Sequence, residues 1–123
     1  MDSKSKVRNF REYSVWQDAV ELSTYVYKCT EQMPRFERKG LCDQLQRAVV
    51  SIASNIAEGC GRTTKDAFAN FLDTALGSAY EVETQLLISK NIGYIDEVLY
   101  KDILNKVQHI EAQISRLLGT IRN

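Results

Sequence analysis

DAFANFLDTALGSAYEVETQLLISKN, residues 66–91, is the stretch of this sequence that decides the fold. Its apolar residues recur in alternating steps of four and three, at Phe68, Leu72, Ala75, Ala79, Val82 and Leu86. That spacing is expected where a long helix packs almost parallel to its neighbours in a bundle. Thr63 or Thr64 is the expected N-cap, and Gly93 is expected to end the helix just beyond Asn91. At about 1.5 Å per residue, the helix would be a rod of roughly 38 Å.

Two more helices are expected upstream of this rod. Helix 1 should begin near Ser14 as N-cap and end before Pro34, because the residue before a proline disfavours helical geometry. Helix 2 should start at Glu37 or Leu41 and end at Glu58, where glycines follow. Each helix has its apolar residues on one side: Val15, Ala19, Leu22 and Val26 in helix 1, widened by Trp16, Val20 and Tyr27, and Leu41, Leu45, Ala48, Val49, Ile52, Ala53 and Ile56 in helix 2.

A fourth helix is expected downstream, with Asp96 as its N-cap and the C-terminus as its end. Its apolar residues keep the same rhythm: Tyr100, Ile103, Val107, Ile110, Ile114, Leu117 and Ile121. Four long helices with short connections bury their apolar sides most simply as an all-α, antiparallel up-down-up-down four-helix bundle. Residues 1–123 are therefore expected to form a single domain, in which residues 1–12 are a basic tail that packs through Phe10.

Composition narrows the function classes. Sixteen basic residues balance sixteen acidic ones, which argues against a strong, non-specific nucleic-acid binder. Cys29, Cys42 and Cys60 form no C-x-x-C pair, and the chain has one histidine, so no zinc site is expected. No signal-peptide pattern and no apolar run of roughly 20 residues is present, so a cytoplasmic protein without a membrane span is expected.

A second stripe of residues lies opposite the apolar side of helix 2 and is repeated on helix 3. Its members are small or hydrogen-bonding: Gln44, Arg47, Ser51, Ser54, Asn55, Glu58 and Arg62, then Asn70, Thr74, Gly77, Ser78, Glu81 and Gln85. Ser and Asn are mediocre helix formers, and Gly77 costs about 1 kcal/mol relative to Ala inside a helix. We therefore expect this polar stripe to serve assembly or interaction. Polar packing inside the bundle, contact with another subunit, a ligand site and ordinary solvated surface all stay open.

Catalytic chemistry is not predicted. His109 has no Cys or Ser at a recognisable spacing and is interpreted as a boundary residue. Glu81 and Glu83 lie on different sides of helix 3, so they cannot form the Glu-x-x-His motif of di-iron bundles. The segment 59–62, Gly-Cys-Gly-Arg, follows a helix and lacks the phosphate-loop pattern, which favours a helix end. We therefore expect no catalytic residues, no cofactor and no metal.

Basic residues between the helices are the candidate nucleic-acid contacts. They are Arg35, Arg38, Lys39, Arg62 and Lys65. Glu37 and Asp43 dilute this charge, so a solvated polar loop is an equal alternative.

The residues quoted above resemble a known family. Val15-Trp16-Gln17, Gln44 to Ala48, the run SIASNIAEG at 51–59 followed by Gly61-Arg62, Phe68 to Leu72, and Ala75 to Ser78 with Glu81 are similar to the four-helix-bundle proteins encoded by 23S rRNA intervening sequences. The resemblance implies a left-handed antiparallel bundle that assembles into a homopentameric barrel. It also implies that the family's recurrent polar residues correspond to Ser51, Asn55, Glu58, Arg62, Gly77, Ser78 and Glu81.

Accessory proteins of diversity-generating retroelements look related, and they bind nucleic acid and a reverse transcriptase through a strongly basic pentamer. This neutral chain departs from that pattern. The leading hypothesis is a non-enzymatic, homo-oligomeric adaptor, expected as a pentamer, that binds RNA or an RNA-associated protein. The alternative is a purely protein-interacting scaffold, for example an accessory subunit of a partner enzyme, without direct nucleic-acid binding.

Overall fold

The computed structural model describes residues 8–123. It contains four long helices: α1 (Ser14–Thr30), α2 (Leu41–Cys60), α3 (Lys65–Ile92) and α4 (Glu97–Arg122). Two short 3-10 turns, Phe10–Glu12 and Arg35–Glu37, precede α1 and α2, and these 116 residues include no strand. Lys4 and Lys6 of the predicted basic tail lie outside the described residues, whereas its Phe10 packs edge-on against Trp16, as expected.

The helices form a closed ring of neighbours. Each helix packs against the next one along the chain, and α1 also packs against α4. The diagonal pairs, α1 with α3 and α2 with α4, do not pack against each other. The predicted all-α, antiparallel up-down-up-down bundle is confirmed.

The core is built from the apolar residues that the periodicity selected. All the predicted positions of α3 are buried, and so are four from α1, five from α2 and four from α4: Val15, Ala19, Leu22, Val26, Leu45, Ala48, Val49, Ile52, Ile56, Ile103, Val107, Ile110 and Ile114. The expected widening of the α1 side was wrong for Val20 and Tyr27, which are 38% and 45% exposed. Among the long helices α1 packs against α2 and α4 only, and Val20 and Tyr27 lie outside the arc that these contacts bury.

Three predicted helix ends are confirmed by their geometry. Thr64 Oγ1 accepts a hydrogen bond from the amide of Ala67, and Asp96 Oδ1 accepts one from the amide of Leu99. Gly93 ends α3 with a φ of 97°, a left-handed conformation that favours glycine. The Thr64 and Asp96 side chains thus satisfy backbone amides of the first helical turn, which have no partner within the helix.

The predicted N-cap of α1 was wrong. Ser14 is the first helical residue, and Tyr13 occupies the cap position without a side-chain hydrogen bond. The Ser14 hydroxyl instead donates to Gln113 Oε1 of α4 at 2.9 Å. A tertiary contact has therefore replaced the local cap.

The end of α2 also differs from the prediction, because the helix continues past Glu58 to Cys60. Gly59 lies buried inside the last turn, where an added Cβ would come within 2.8 Å of Phe71 Cβ. Since α2 and α3 converge there, only a residue without a side chain fits. Close approach within the chain thus occurs at Gly59, whereas Gly77 would have nothing within 4 Å of a Cβ.

Candidate functional site

The predicted polar stripe splits into an inner and an outer part. In the inner part, the hydroxyl oxygens of Ser51 and Ser78 lie 2.8 Å apart across the α2–α3 interface. Asn55 Nδ2 donates to Ser51 Oγ at 2.9 Å and to the Ser51 carbonyl at 2.8 Å. Ser78 is buried, so these three residues form a polar tie within the bundle. For them, packing inside the bundle is the reading that the geometry supports.

The outer part of the stripe faces outward from the bundle. Its members are all exposed in the single chain: Arg47, Glu58, Arg62, Gly77 and Glu81. A groove of about 270 Å³ runs beside the polar tie, and we call it the α2–α3 groove; its walls are Gln44, Arg47, Ala48, Ser51, Glu81 and Gln85. Arg47 Nε is bound to Asp43 at 2.9 Å, so its charge is engaged along its own helix.

The structure does not bring the five candidate nucleic-acid contacts together. Arg35, Arg38 and Lys39 lie between α1 and α2, while Arg62 and Lys65 lie where α2 meets α3. The twenty residues of α2 separate the two groups by about 30 Å at the helical rise. The bundle therefore has basic residues at both ends, and no single patch joins them.

The end that carries Arg62 combines arginines with aromatic rings. The Arg8 guanidinium stacks 4.3 Å from the Phe68 ring centroid and donates to the carbonyl of Arg62. The Arg62 guanidinium lies 4.9 Å from the Phe71 ring, and Arg11 lies 4.5 Å from the ring of Phe10. We call this group the arginine–aromatic end; its members are Arg8, Phe10, Arg11, Trp16, Arg62, Lys65, Phe68 and Phe71. Sequence reasoning missed it because three separate segments supply its members.

The end of the bundle opposite Arg62 holds the connection between α1 and α2, residues 31–40. Glu37 accepts hydrogen bonds from the Leu41 amide at 3.0 Å and from the Tyr94 hydroxyl at 2.8 Å, and both lower the pKa of its carboxyl. A cavity of about 560 Å³ is lined by this connection and the start of α2, and Arg35 and Arg38 belong to its lining. Phe36 is 78% exposed there.

A groove of about 500 Å³ between α1 and α4 contains the histidine. His109 is exposed, and its Nε2 lies 3.7 Å from Asp18 Oδ2. Deeper in the groove, the Tyr25 hydroxyl donates to Asp102 at 2.6 Å, which raises the pKa of Tyr25 to about 12 and lowers that of Asp102. Residues 8–123 hold no group of three metal-binding side chains, in this groove or elsewhere.

A pair of carboxyl groups between α3 and α4 was not expected from the sequence. Burial, together with the neighbouring Glu83 carboxyl, raises the pKa of Glu111 to about 8. Glu111 Oε2 is enclosed and, as an ionised acceptor, has no hydrogen-bond donor among residues 8–123. The two residues are far apart in sequence, so only the pairing of the helices reveals the contact.

Comparison with known proteins identifies the family. A sequence model described as "23S rRNA-intervening sequence protein" matches residues 11–116. The chain belongs to this family. The resemblance noted from the sequence is therefore confirmed, and the family match spans all of α1, α2 and α3 and most of α4.

A solved structure agrees with this membership of the 23S rRNA-intervening sequence protein family. It is a protein of unknown function from the S23 ribosomal protein family of Bacteroides thetaiotaomicron VPI-5482. The two chains are 26% identical with a TM-score of 0.76, over 85% of this chain and 97% of the other. A comparison with curated proteins found no match. Among the described residues, none of the helices has the length and apolar character to cross a membrane.

Proposed function

We propose that this member of the family is a non-enzymatic, homo-oligomeric adaptor that associates in the cytoplasm with RNA or with an RNA-bound protein. The observation that carries the RNA half is the arginine–aromatic end. Exposed guanidinium planes are surfaces on which unstacked bases stack, and exposed basic side chains contact phosphates. The Phe68 ring is only 2% exposed, so it supports the arginines and they form the contact surface. Arg11, Arg62 and Lys65 are exposed at this end and available for such contacts.

The neutral net charge limits the size of this interface. A chain with sixteen basic and sixteen acidic residues has no large field to attract a polyanion, so binding has to be local. The groove between α1 and α4 is a poor phosphate site, because its three carboxylates, Asp18, Glu21 and Asp102, outnumber Lys106 in the lining. The arginine–aromatic end is therefore favoured over the sides of the bundle.

The outer face of α3 supports self-assembly. Four of the nine exposed large hydrophobic side chains in the described chain lie on this one helix: Tyr80, Leu87, Ile88 and Ile92. Its opposite face is already buried against α2 and α4, so α3 carries apolar residues on both sides. A second copy of the chain covering this face would remove the apolar surface from water. The homopentamer implied by the family resemblance is the expected form.

Salt-dependent binding to structured RNA tests the RNA half. We expect the double substitution Arg62→Ala/Lys65→Ala to weaken binding about tenfold and to reduce the salt slope by about one for each lost phosphate contact. Arg35→Ala/Arg38→Ala removes the same charge from the other end and serves as the matched control. Equal losses of RNA affinity in both variants would contradict a binding site at the arginine–aromatic end. Absence of RNA binding at low salt would remove RNA from the proposal.

A purely protein-interacting scaffold is the second candidate function, favoured by the neutral charge and the apolar outer face of α3. It predicts a stable oligomer by light scattering together with no RNA binding at low salt. An oligomer that binds RNA supports the adaptor instead. A monomer at micromolar concentration would contradict self-assembly in both candidates.

A further inference from the structure

The α2–α3 groove contains a buried polar group that lacks a partner. Gln85 is only 7% exposed and lines this groove. Its Oε1 atom is enclosed and accepts no hydrogen bond from residues 8–123. A buried acceptor without a donor destabilises the chain, so such groups call for a specific explanation. A donor supplied from outside the chain would provide one.

Two acceptors that line this groove, Glu81 and Gln85 Oε1, have no partner among the described residues. Arg47 is engaged by Asp43, and the Ser51 hydroxyl is already shared with Asn55 and Ser78. Glu81 forms no ion pair with the described residues, and it lies one helical turn before Gln85. The remaining acceptors are thus a carboxylate and a carboxamide oxygen on adjacent turns of α3. Arg47 balances the charge of Glu81 in the lining, so what these two acceptors favour is a ligand with several N–H donors in direct contact.

We propose that the α2–α3 groove receives an arginine side chain from a second copy of the chain. The guanidinium donates to the Glu81 carboxylate and to Gln85 Oε1. Its planar fork has five N–H donors, enough to satisfy two acceptors at once. Rotation about the terminal torsion of Gln85 exchanges the positions of Oε1 and Nε2, so the guanidinium meets Oε1 when the carboxamide turns towards the groove. This inference rests on the self-assembly proposed above and adds the contact that completes it.

Three features favour a side chain of a second copy as the occupant. The volume of about 270 Å³ is slightly below that of pockets for drug-sized ligands, about 300–1,000 Å³, and suits one side chain. Gly77 precedes Glu81 by one turn and leaves open space beside the groove, so another backbone can come close. The groove also adjoins the apolar outer face of α3, on which Tyr80 and Ile88 are exposed. Two neutral chains meet there without net repulsion.

A dilution series followed by light scattering and sedimentation velocity tests the contact. Glu81→Gln and Gln85→Met each remove one acceptor at nearly constant volume. We expect each to raise the dissociation constant of the oligomer about tenfold, the scale of a lost charged hydrogen bond at an interface. Glu21→Gln makes the same charge change on α1 and should leave assembly unchanged. Gln85→Met should also raise the urea midpoint of the dissociated chain, because it removes the unsatisfied acceptor.

A second measurement separates the sources of the arginine. The side-chain amide signal of Gln85 is followed by NMR as N-acetyl-arginine amide or uncharged N-acetyl-norleucine amide is added. If the Glu81→Gln and Gln85→Met chains both keep the wild-type oligomer mass through the dilution series, the inference is wrong while self-assembly stands. A wild-type chain that stays monomeric would overturn self-assembly and the inference together. A monomer whose Gln85 signal responds only to the arginine compound would assign the arginine to a different protein, against a second copy.

Discussion

The hydroxyl oxygens of Ser51 and Ser78 lie 2.8 Å apart and join α2 to α3, with Ser78 buried and Ser51 half-buried. Asn55 extends the tie by donating to Ser51. A hydroxyl group both donates and accepts, so Ser51 can bond to Asn55 and Ser78 at the same time. Hydrogen bonds of this kind between helices favour one alignment of the neighbouring helices over others.

The polar tie predicts coupled effects on stability. Ser78→Ala should lower the free energy of unfolding by about 1 kcal/mol, because it removes the bond between helices and leaves Asn55 as the only partner of Ser51. The double substitution Ser51→Ala/Ser78→Ala should cost less than the sum of the two single changes. Urea denaturation of the wild-type chain, the two single variants and the double variant measures this coupling as a double-mutant cycle. Strictly additive losses in the free energy of unfolding would contradict it.

A side chain at Gly59 should destabilise the chain. Gly59→Ala places a Cβ 2.8 Å from Phe71 Cβ and 3.1 Å from Phe68 Cδ1, so we expect a loss of about 1–3 kcal/mol in the free energy of unfolding. Gly119→Ala is the matched control, since nothing lies within 4 Å of its Cβ. Alanine at that site should be neutral or stabilising by up to about 1 kcal/mol. Similar melting temperatures for the two variants would show that α2 and α3 do not converge at Gly59.

The Glu83–Glu111 pair should make stability fall with rising pH. The pKa of Glu111 is about 8 in the folded chain, against an ordinary value of 4.5. Between these values the folded state retains a proton that the unfolded state has lost, so raising the pH favours unfolding. Melting temperatures recorded from pH 5 to about pH 8 should therefore decline, and Glu111→Gln should flatten the decline. An equally steep profile in that variant would assign the effect to other groups.

The hydrogen bond from Tyr25 to Asp102 should stabilise the junction of α1 and α4. Tyr25→Phe is expected to lower the free energy of unfolding by about 1 kcal/mol and to raise the pKa of Asp102 towards its ordinary value. Because the folded pKa of Asp102 is depressed, this stabilisation is present above its ordinary pKa and is lost as the pH falls. Tyr27→Phe, at an exposed tyrosine of α1, is the control. NMR titration of the Asp102 carboxyl distinguishes the two variants.

Periodicity predicted the helices well because each helix buries one side. The steps of four and three in α3 selected six positions that are all buried. The caps at Thr64, Gly93 and Asp96 were predictable for a different reason, because a cap depends on residues next to the helix end. The errors at Ser14 and Gly59 arose where a residue from another helix decided the outcome.

The sequence by itself determined the all-α bundle, the helix ends at Thr64, Gly93 and Asp96, and membership of the 23S rRNA-intervening sequence protein family, because these follow from residues near one another in the chain. Only the tertiary structure decided which polar residues face inward: Ser51 and Ser78 meet, whereas Arg47 and Glu81 border a groove. It also separated the basic residues to opposite ends and paired Glu83 with Glu111. The physical reason is that periodicity fixes an angle around one helix axis, while the rotation of each helix against its neighbours is set by packing along the whole interface.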